Sequence, residues 1–528
     1  MTRQKAASTA YRRDHGKRIR RWLLAGVLGA ALLLIGGAVI AAWRVSPWVH
    51  DWVVETLAAR LDSEVTLESF EVSFLPRPAF VGRGLVIRYQ GRTDIPPFIA
   101  IREFSGTTDL TGALRRRARE VRLDGLEISV PPRRGDDLPD VKTGGAGDSG
   151  EGRTFIDRLV SENARLSILS KDPAKHPKVF DIFTLEMRDV GLAAPAAFTA
   201  SLTNPIPVGA VDTTGHFGPW RRDAPSLTPL DGEYAFKADL GTIKGVAGAL
   251  DSTGSFGGVL ERIEARGSTT TPDFSLPSVD AGALPLETRF DAVIDGTSGD
   301  VFLTTVDARL GASAFTVSGA IVGVEGVRGK RVTLDVVGDG ARIEDFMRLV
   351  VDAERPPLFG AMRFQARLDI QPGEADIVDK LWLTGDFSLE DAHFGSRVVQ
   401  DQVDELSRRG RGTPEDESVD DVVSDMKGEF ALKDGMMTIP LVTFEVTGAK
   451  VLMAGVYGLR GGTLDFRGDV RLDAPVSEMV TGVKSWLLKP FDALFREKGA
   501  GTRVAIKVEG TKDDPKFGVE IGRTLGGG

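Results

Sequence analysis

At 528 residues the chain is long enough for several domains or for one extended architecture, and a formal charge of -9 argues against a general nucleic-acid binder, so no nucleic-acid partner is expected. The absence of Cys excludes disulfides, thiolate metal sites and a cysteine nucleophile. Apolar residues at 42% and charged residues at 27% suit a folded protein, while 62 Gly and 27 Pro imply frequent turns and favour short strands over long helices.

Residues 1–21 form a basic tail with Arg3, Lys5, Arg12, Arg13, Lys17, Arg18, Arg20 and Arg21 against one acid, Asp14. Residues 22–43 read WLLAGVLGAALLLIGGAVIAAW without a charge, and at about 1.5 Å per helical residue they match a hydrocarbon core of roughly 30 Å. A single-pass transmembrane helix is therefore expected, with Trp22 and Trp43 at its two interfaces and the basic tail in the cytoplasm. The run is longer than the apolar region of a cleaved signal peptide and lacks a small-residue cleavage site. The body beyond it is expected outside the cytoplasm.

In residues 44–130 a short amphipathic helix follows Pro47, with Val49, Trp52, Val53, Leu57 and Leu61 on one stripe. The pattern then changes to period two in VTLESFEVSF, GLVIRY, FIAIREF and VRLDGLEISV, which predicts strands. Residues 131–153 have little to bury and read as a flexible linker. Their G-x-G-x-x-G match, at Gly145, Gly147 and Gly150, lacks the strand and helix that a dinucleotide site needs.

Residues 154–400 open with a short helix expected near Phe155 to Asn163 and continue as strands, interrupted by a helix at ARIEDFMRLVV. Residues 401–421, with Arg408, Arg409 and Arg411 followed by EDESVDD, read as a solvated polar loop. Residues 422–528 return to strands and include an amphipathic helix at 475–498, with Met479, Val483, Trp486 and Leu487 on one side. The fold class is thus mainly β with an N-terminal transmembrane helix, as a long antiparallel meander of roughly twenty or more strands with few short helices. With so few helices to cover them, the apolar strand faces need a second sheet, or a sheet curved toward itself around something apolar.

The stretch LAARLDSEVTLESFEVSFLPRPAFVGRGLVIRY resembles the start of the periplasmic region of the AsmA family. The run from Asn204 to Phe274, and the segments SDMKGEFALKDGMMTI and SWLLKPFDALFREKGAGTRVAIKVEGTKDDPKFGVEIG, resemble AsmA-like proteins as well. The resemblance implies a β-sheet bent into a trough, similar to bridge-like lipid transfer proteins, on a protein of the bacterial inner membrane with a periplasmic body and a role in outer-membrane lipid homeostasis. Membrane phospholipids are then the expected partners, with acyl chains in the trough. Candidate lining positions are Phe70, Val72, Phe74, Phe236, Phe315, Val317, Phe364, Leu368, Phe444 and Phe466, each equally suited to core packing. Arg115, Arg116, Arg117 and Arg119 form the dense basic patch of the body, suited either to anionic headgroups or to guarding a solvated edge.

Enzyme signatures fail. The five His, at 15, 50, 176, 216 and 393, show no metal-ligand spacing, and neither a G-x-S-x-G elbow nor a phosphate-binding G-x-x-x-x-G-K-[ST] loop occurs. No cofactor, metal or catalytic residue is expected. The alternative from another class is a non-enzymatic scaffold or assembly factor with a closed, dry sheet and other envelope proteins as partners.

Overall fold

The computed structural model describes residues 63–73, 78–89, 99–109, 117–130, 155–168, 178–191, 194–219, 227–279, 281–296, 298–324, 329–474, 503–512 and 514–519, with single positions at 51, 54–55, 93–94, 96–97 and 327. The expected transmembrane segment with Trp22 and Trp43, the linker at 131–153, the helix at 475–498, and Phe74, Arg115 and Arg116 lie outside them. Among the described residues no helix is long and apolar enough to cross a membrane.

The described chain is mainly β, with few helices. It divides into two compact units, residues 1–171 with 176–200 and residues 201–528 with 172–175. The first unit holds β1 (Ser63–Thr66), β2 (Ser69–Ser73), β3 (Ala79–Tyr89), β4 (Ile99–Thr107), β5 (Arg117–Val130), β6 (Phe155–Ile168) and β7 (Lys178–Val190). β1 and β2 share β3 as partner, at its far and near halves, and β3, β4 and β5 follow as antiparallel neighbours. β5 and β6 are parallel, an exception to the expected meander, and β7 returns antiparallel to β6. A parallel pair cannot be closed by a tight hairpin, because its connection must travel back along the strand, here about 46 Å for 14 residues at about 3.3 Å each. That requirement accounts for the long polar stretch between β5 and β6.

The segment expected as a helix near Phe155 to Asn163 is instead the first part of β6. Its apolar residues Ile156, Leu159 and Val160 imitate helical spacing, but in the structure the backbone pairs with strands on both sides. The imitation has a local cause. In β6 the apolar alternation breaks at Asp157 and Arg158, between Ile156 and Leu159. A further break at two successive residues recurs across β3 to β7: Arg83 and Gly84, Arg102 and Glu103, Asp124 and Gly125, Glu162 and Asn163, Phe183 and Thr184. The register joins these pairs into one line across the sheet. Leu123 below the line and Leu126 above it thus share one face despite their odd spacing. Gly84, Gly125 and Asn163 carry the line with φ of 65°, 63° and 55°, a region open to Gly and Asn at low cost.

β8 (Ala196–Pro205) spans the division between the units. The second unit continues with β9 (Val208–Phe217), β10 (Pro229–Asp239), β11 (Ala249–Val259), β12 (Arg262–Phe274), β13 (Leu284–Asp295), β14 (Asp300–Leu310), β15 (Ser313–Gly323) and β16 (Lys330–Arg342). It ends with β17 (Leu358–Ile370), β18 (Leu381–Phe394), β19 (Ser424–Lys433), β20 (Met436–Val446), β21 (Ala449–Gly458), β22 (Thr463–Leu472), β23 (Arg503–Thr511) and β24 (Pro515–Val519). From β9 onward each strand is antiparallel to the next. Register shifts interrupt several of these ladders, as between Gly338 and Ala341 or Ile439 and Val442, and such bulges bend a sheet.

The second unit's sheet is curled. Its curl brings the loop after β17 against the loops after β10 and β12: Ser278 Oγ donates to Asp376 at 2.8 and 2.9 Å, and Ile377 N donates to Lys244 O at 3.3 Å. Among the described residues of this unit three α-helices lie in the connections: α1 (Ile343–Val350), α2 (Ile377–Lys380) and α3 (Arg397–Gly410). α1, expected from the sequence, is pinned through Asp345, whose carboxylate accepts from Ala312 N at 3.0 Å and Ser313 Oγ at 2.8 Å. Its Phe346 packs on Phe315 and Phe364, with ring centroids 5.9 and 5.3 Å away.

α3 corrects the reading of residues 401–421 as a loop, since 401–410 are helical. Gln400, Asp404, Ser407 and Gly410 recur at helical spacing on its buried side, so the docking stripe is polar. The side chains of this stripe are partnered: Asp404 accepts from Gln400 Nε2, Asp421 N and Val422 N, and Ser407 Oγ donates to Thr447 O at 2.8 Å. Gly410 lies so close to Gly448 that an added methyl would overlap its carbonyl.

Candidate functional site

The two faces of the second unit's sheet differ in chemistry. Register places Thr213, Tyr234, Gly254, Gly267, Phe290, Val306, Val317, Val336, Ala366, Gly385 and Phe430 in one unbroken row from β9 to β19. The row one residue away, on the other face, reads Thr214, Glu233, Ser255, Arg266, Asp291 and Thr305. That face carries cross-strand ion pairs such as Arg266 to Asp291 at 2.8 Å, Arg363 to Asp339 at 2.9 Å and Arg331 to Asp369. Such exposed pairs keep the face in water and individually add little to stability.

On the apolar face, aromatic rings lie over glycines of neighbouring strands. Phe364 faces Gly338, Phe430 faces Gly385, Phe256 faces Gly232, Phe466 faces Gly455 and Tyr234 faces Gly254. A methyl added to any of these glycines would press against the ring opposite it. The first unit repeats the device with Phe104 over Gly82 and Phe80 over Gly106, and Phe70 stacks on Phe80 at 5.9 Å. The rings pave the sheet and leave a broad, shallow apolar surface. Such a surface offers contact and desolvation, at about 0.8 kcal/mol for each methylene it takes out of water.

Covering is uneven along this face. Under α1, Met362, Phe364 and Leu389 form a buried cluster, and beside α3 a second joins Val403 to Phe444, Val446, Val451 and Val470. By contrast, β9, β10 and β11 contribute no apolar side chain to the buried set among the described residues. Val211, Tyr234, Phe236 and Phe256 there are half-buried. The face is therefore dry under the helices and open at β9 to β11.

Of the candidate lining residues, Phe236, Phe315, Val317, Phe364, Leu368, Phe444 and Phe466 share this one face of the second unit. Phe364 and Phe444 are packed into the helix-covered clusters, Phe315 touches α1, and Phe236 stands in the open sector. Phe70 and Val72 lie on the first unit's apolar face, opposite Gly82 and Phe80. Of the basic patch, Arg117 pairs with Asp157 at 2.5 Å and Arg119 is exposed. Tyr234, Phe256, Phe290 and Phe430 escaped the sequence reading. Their signal was a glycine at the matching register of the next strand, which appears only once strands are paired.

Among the described residues Asp401, Asp404 and Asp420 bring carboxylates within reach of one ion. Asp404 is committed to the backbone of 421–422, and Arg397 pairs with Asp401 and Asp420 at 3.1 and 2.9 Å, so the protein's own groups already engage all three carboxylates. His216 pairs with Asp231 at 3.1 Å on the charged face. Comparison with known proteins returns no matching family model, no matching curated relative and no matching solved structure.

Proposed function

We propose that the chain is a non-enzymatic lipid-handling protein whose curled sheet takes phospholipid acyl chains on its apolar face. The observation that carries this reading is the apolar row from Thr213 to Phe430, backed by a charged face and left open at β9 to β11. At about 4.8 Å per strand the row runs ~48 Å, against ~15 Å for one leaflet of hydrocarbon. Acyl chains fit along it with headgroups in water. The apolar segment 22–43 behind its basic tail supports an anchor in a bacterial inner membrane with the body in the periplasm, and the AsmA resemblance supports a role in outer-membrane lipid homeostasis. Lipid extraction and native mass spectrometry of the full chain test the proposal. Bound phospholipid is expected, lost on Val211→Asp with Phe236→Asp; a chain that is consistently empty contradicts it.

The helix-covered clusters support a second reading, an envelope scaffold whose sheet is dry throughout. In that case a cross-linked protein partner survives the same two substitutions and no lipid is recovered.

A further inference from the structure

At the margin of the second unit, between the end of α1 and the start of α3, Arg348, Glu354, Arg355, Phe359 and His393 line one depression. Its floor is fixed by the backbone: Gly395 N donates to Pro357 O at 3.1 Å, and a methyl on Gly395 would overlap the Pro356 carbonyl. The His393 ring lies flat on Phe359, with centroids 5.2 Å apart and planes 6° apart, so its orientation is set without a hydrogen bond.

The donors here are unspent. Arg348 makes one long contact, 3.9 Å to Asp345, whose other oxygen is occupied by Ala312 N and Ser313 Oγ. Arg355 and the ring nitrogens of His393 have no partner among the described residues, although most arginines of this unit's charged face are paired. Arg348, Arg355 and His393 are exposed; besides Asp345 behind Arg348, the acid that lines the depression with them is Glu354.

We propose that this depression binds a phosphate group, with Arg348 and Arg355 as forked donors and His393 as a third, on the ring stack. Two guanidiniums and an imidazole offer more donors than a carboxylate has oxygens, and planar forks match phosphate geometry. The group is either the headgroup of a phospholipid or a free phosphate. The assignment holds whether or not acyl chains occupy the apolar face.

Calorimetric titration of the full chain with inorganic phosphate, and separately with dihexanoylphosphatidylglycerol, tests this. Phosphate binding weakened by about ten-fold or more in Arg348→Gln with Arg355→Gln, and tightened about two- to five-fold in Glu354→Gln, is the expected result. The Glu354 variant removes no donor, so it reports even where the arginine pair fails to fold. If the short-chain lipid competes with phosphate and responds to the same changes, the source is a headgroup; if phosphate alone responds, the source is free phosphate. Absence of phosphate binding, or binding indifferent to all three positions, overturns the proposal.

Discussion

The residue that most shapes the apolar face is glycine, because a ring can lie flat on the sheet only where the facing position has no side chain. Gly338 is the clearest instance, with the Phe364 ring over its Cα and no left-handed φ to complicate a substitution. Gly338→Ala is expected to cost about 1–3 kcal/mol through displacement of that ring, and Phe364→Ala about 3–5 kcal/mol because the ring is 7% exposed. Urea unfolding of each variant checks both. A second residue-scale expectation concerns charge. Across β5, β6 and β7, Arg158 bonds Glu120 at 3.2 Å and Glu186 at 2.8 Å, and Arg188 bonds Glu186 at 2.9 Å. These hydrogen bonds, that from Arg158 foremost, hold the Glu186 carboxyl down from 4.5 to about 2. A lowered carboxyl stabilises the fold fully above its unfolded value and loses that contribution as pH falls toward the folded one. Arg158→Gln should therefore lower the urea midpoint at pH 7, and the gap from the unsubstituted chain should close as pH falls from 4.5 toward 2. A gap that is constant with pH would show that the loss is one of packing.

At the scale of elements, the aligned break across β3 to β7 depends on backbone conformation. Asn163, at φ 55°, is its one non-glycine left-handed member. Asn163→Gly should leave stability little changed, whereas Asn163→Val should cost about 1–2 kcal/mol, read by urea unfolding. Equal effects of the two would mean that the Asn side chain, and not the backbone, holds the line. Such breaks also mark where the sequence stopped being legible. Strands such as β10 and β22 alternate cleanly and were readable, as was α1 with Ile343, Phe346 and Leu349 on one side. β6 was misread because two successive residues, Asp157 and Arg158, shift its alternation into an apparent helical period. α3 was misread for the opposite reason: it buries Gln400, Asp404 and Ser407, and polarity on a buried side looks like solvent exposure until the partners at 421–422 and 447 are in place. The candidate site was legible as a set of apolar strand faces. Which members stay open depends on the helices α1 and α3, and no alternation pattern reports what lies above it.

For the whole molecule, the account turns on an asymmetry: one sheet face bound to water by ion pairs, the other apolar and only partly covered. The sector under α1 and α3 is filled by buried clusters, and on the proposed function the sector at β9 to β11 is where an acyl chain would lie. The most direct test is photo-crosslinking of the full chain with a phospholipid carrying a diazirine in its acyl chain, followed by peptide mapping. Adducts are predicted on Val211, Tyr234, Phe236, Phe256 and Phe290. Adducts confined to Glu233, Ser255, Arg266 and their neighbours on the charged face, or none on the sheet at all, would contradict the account.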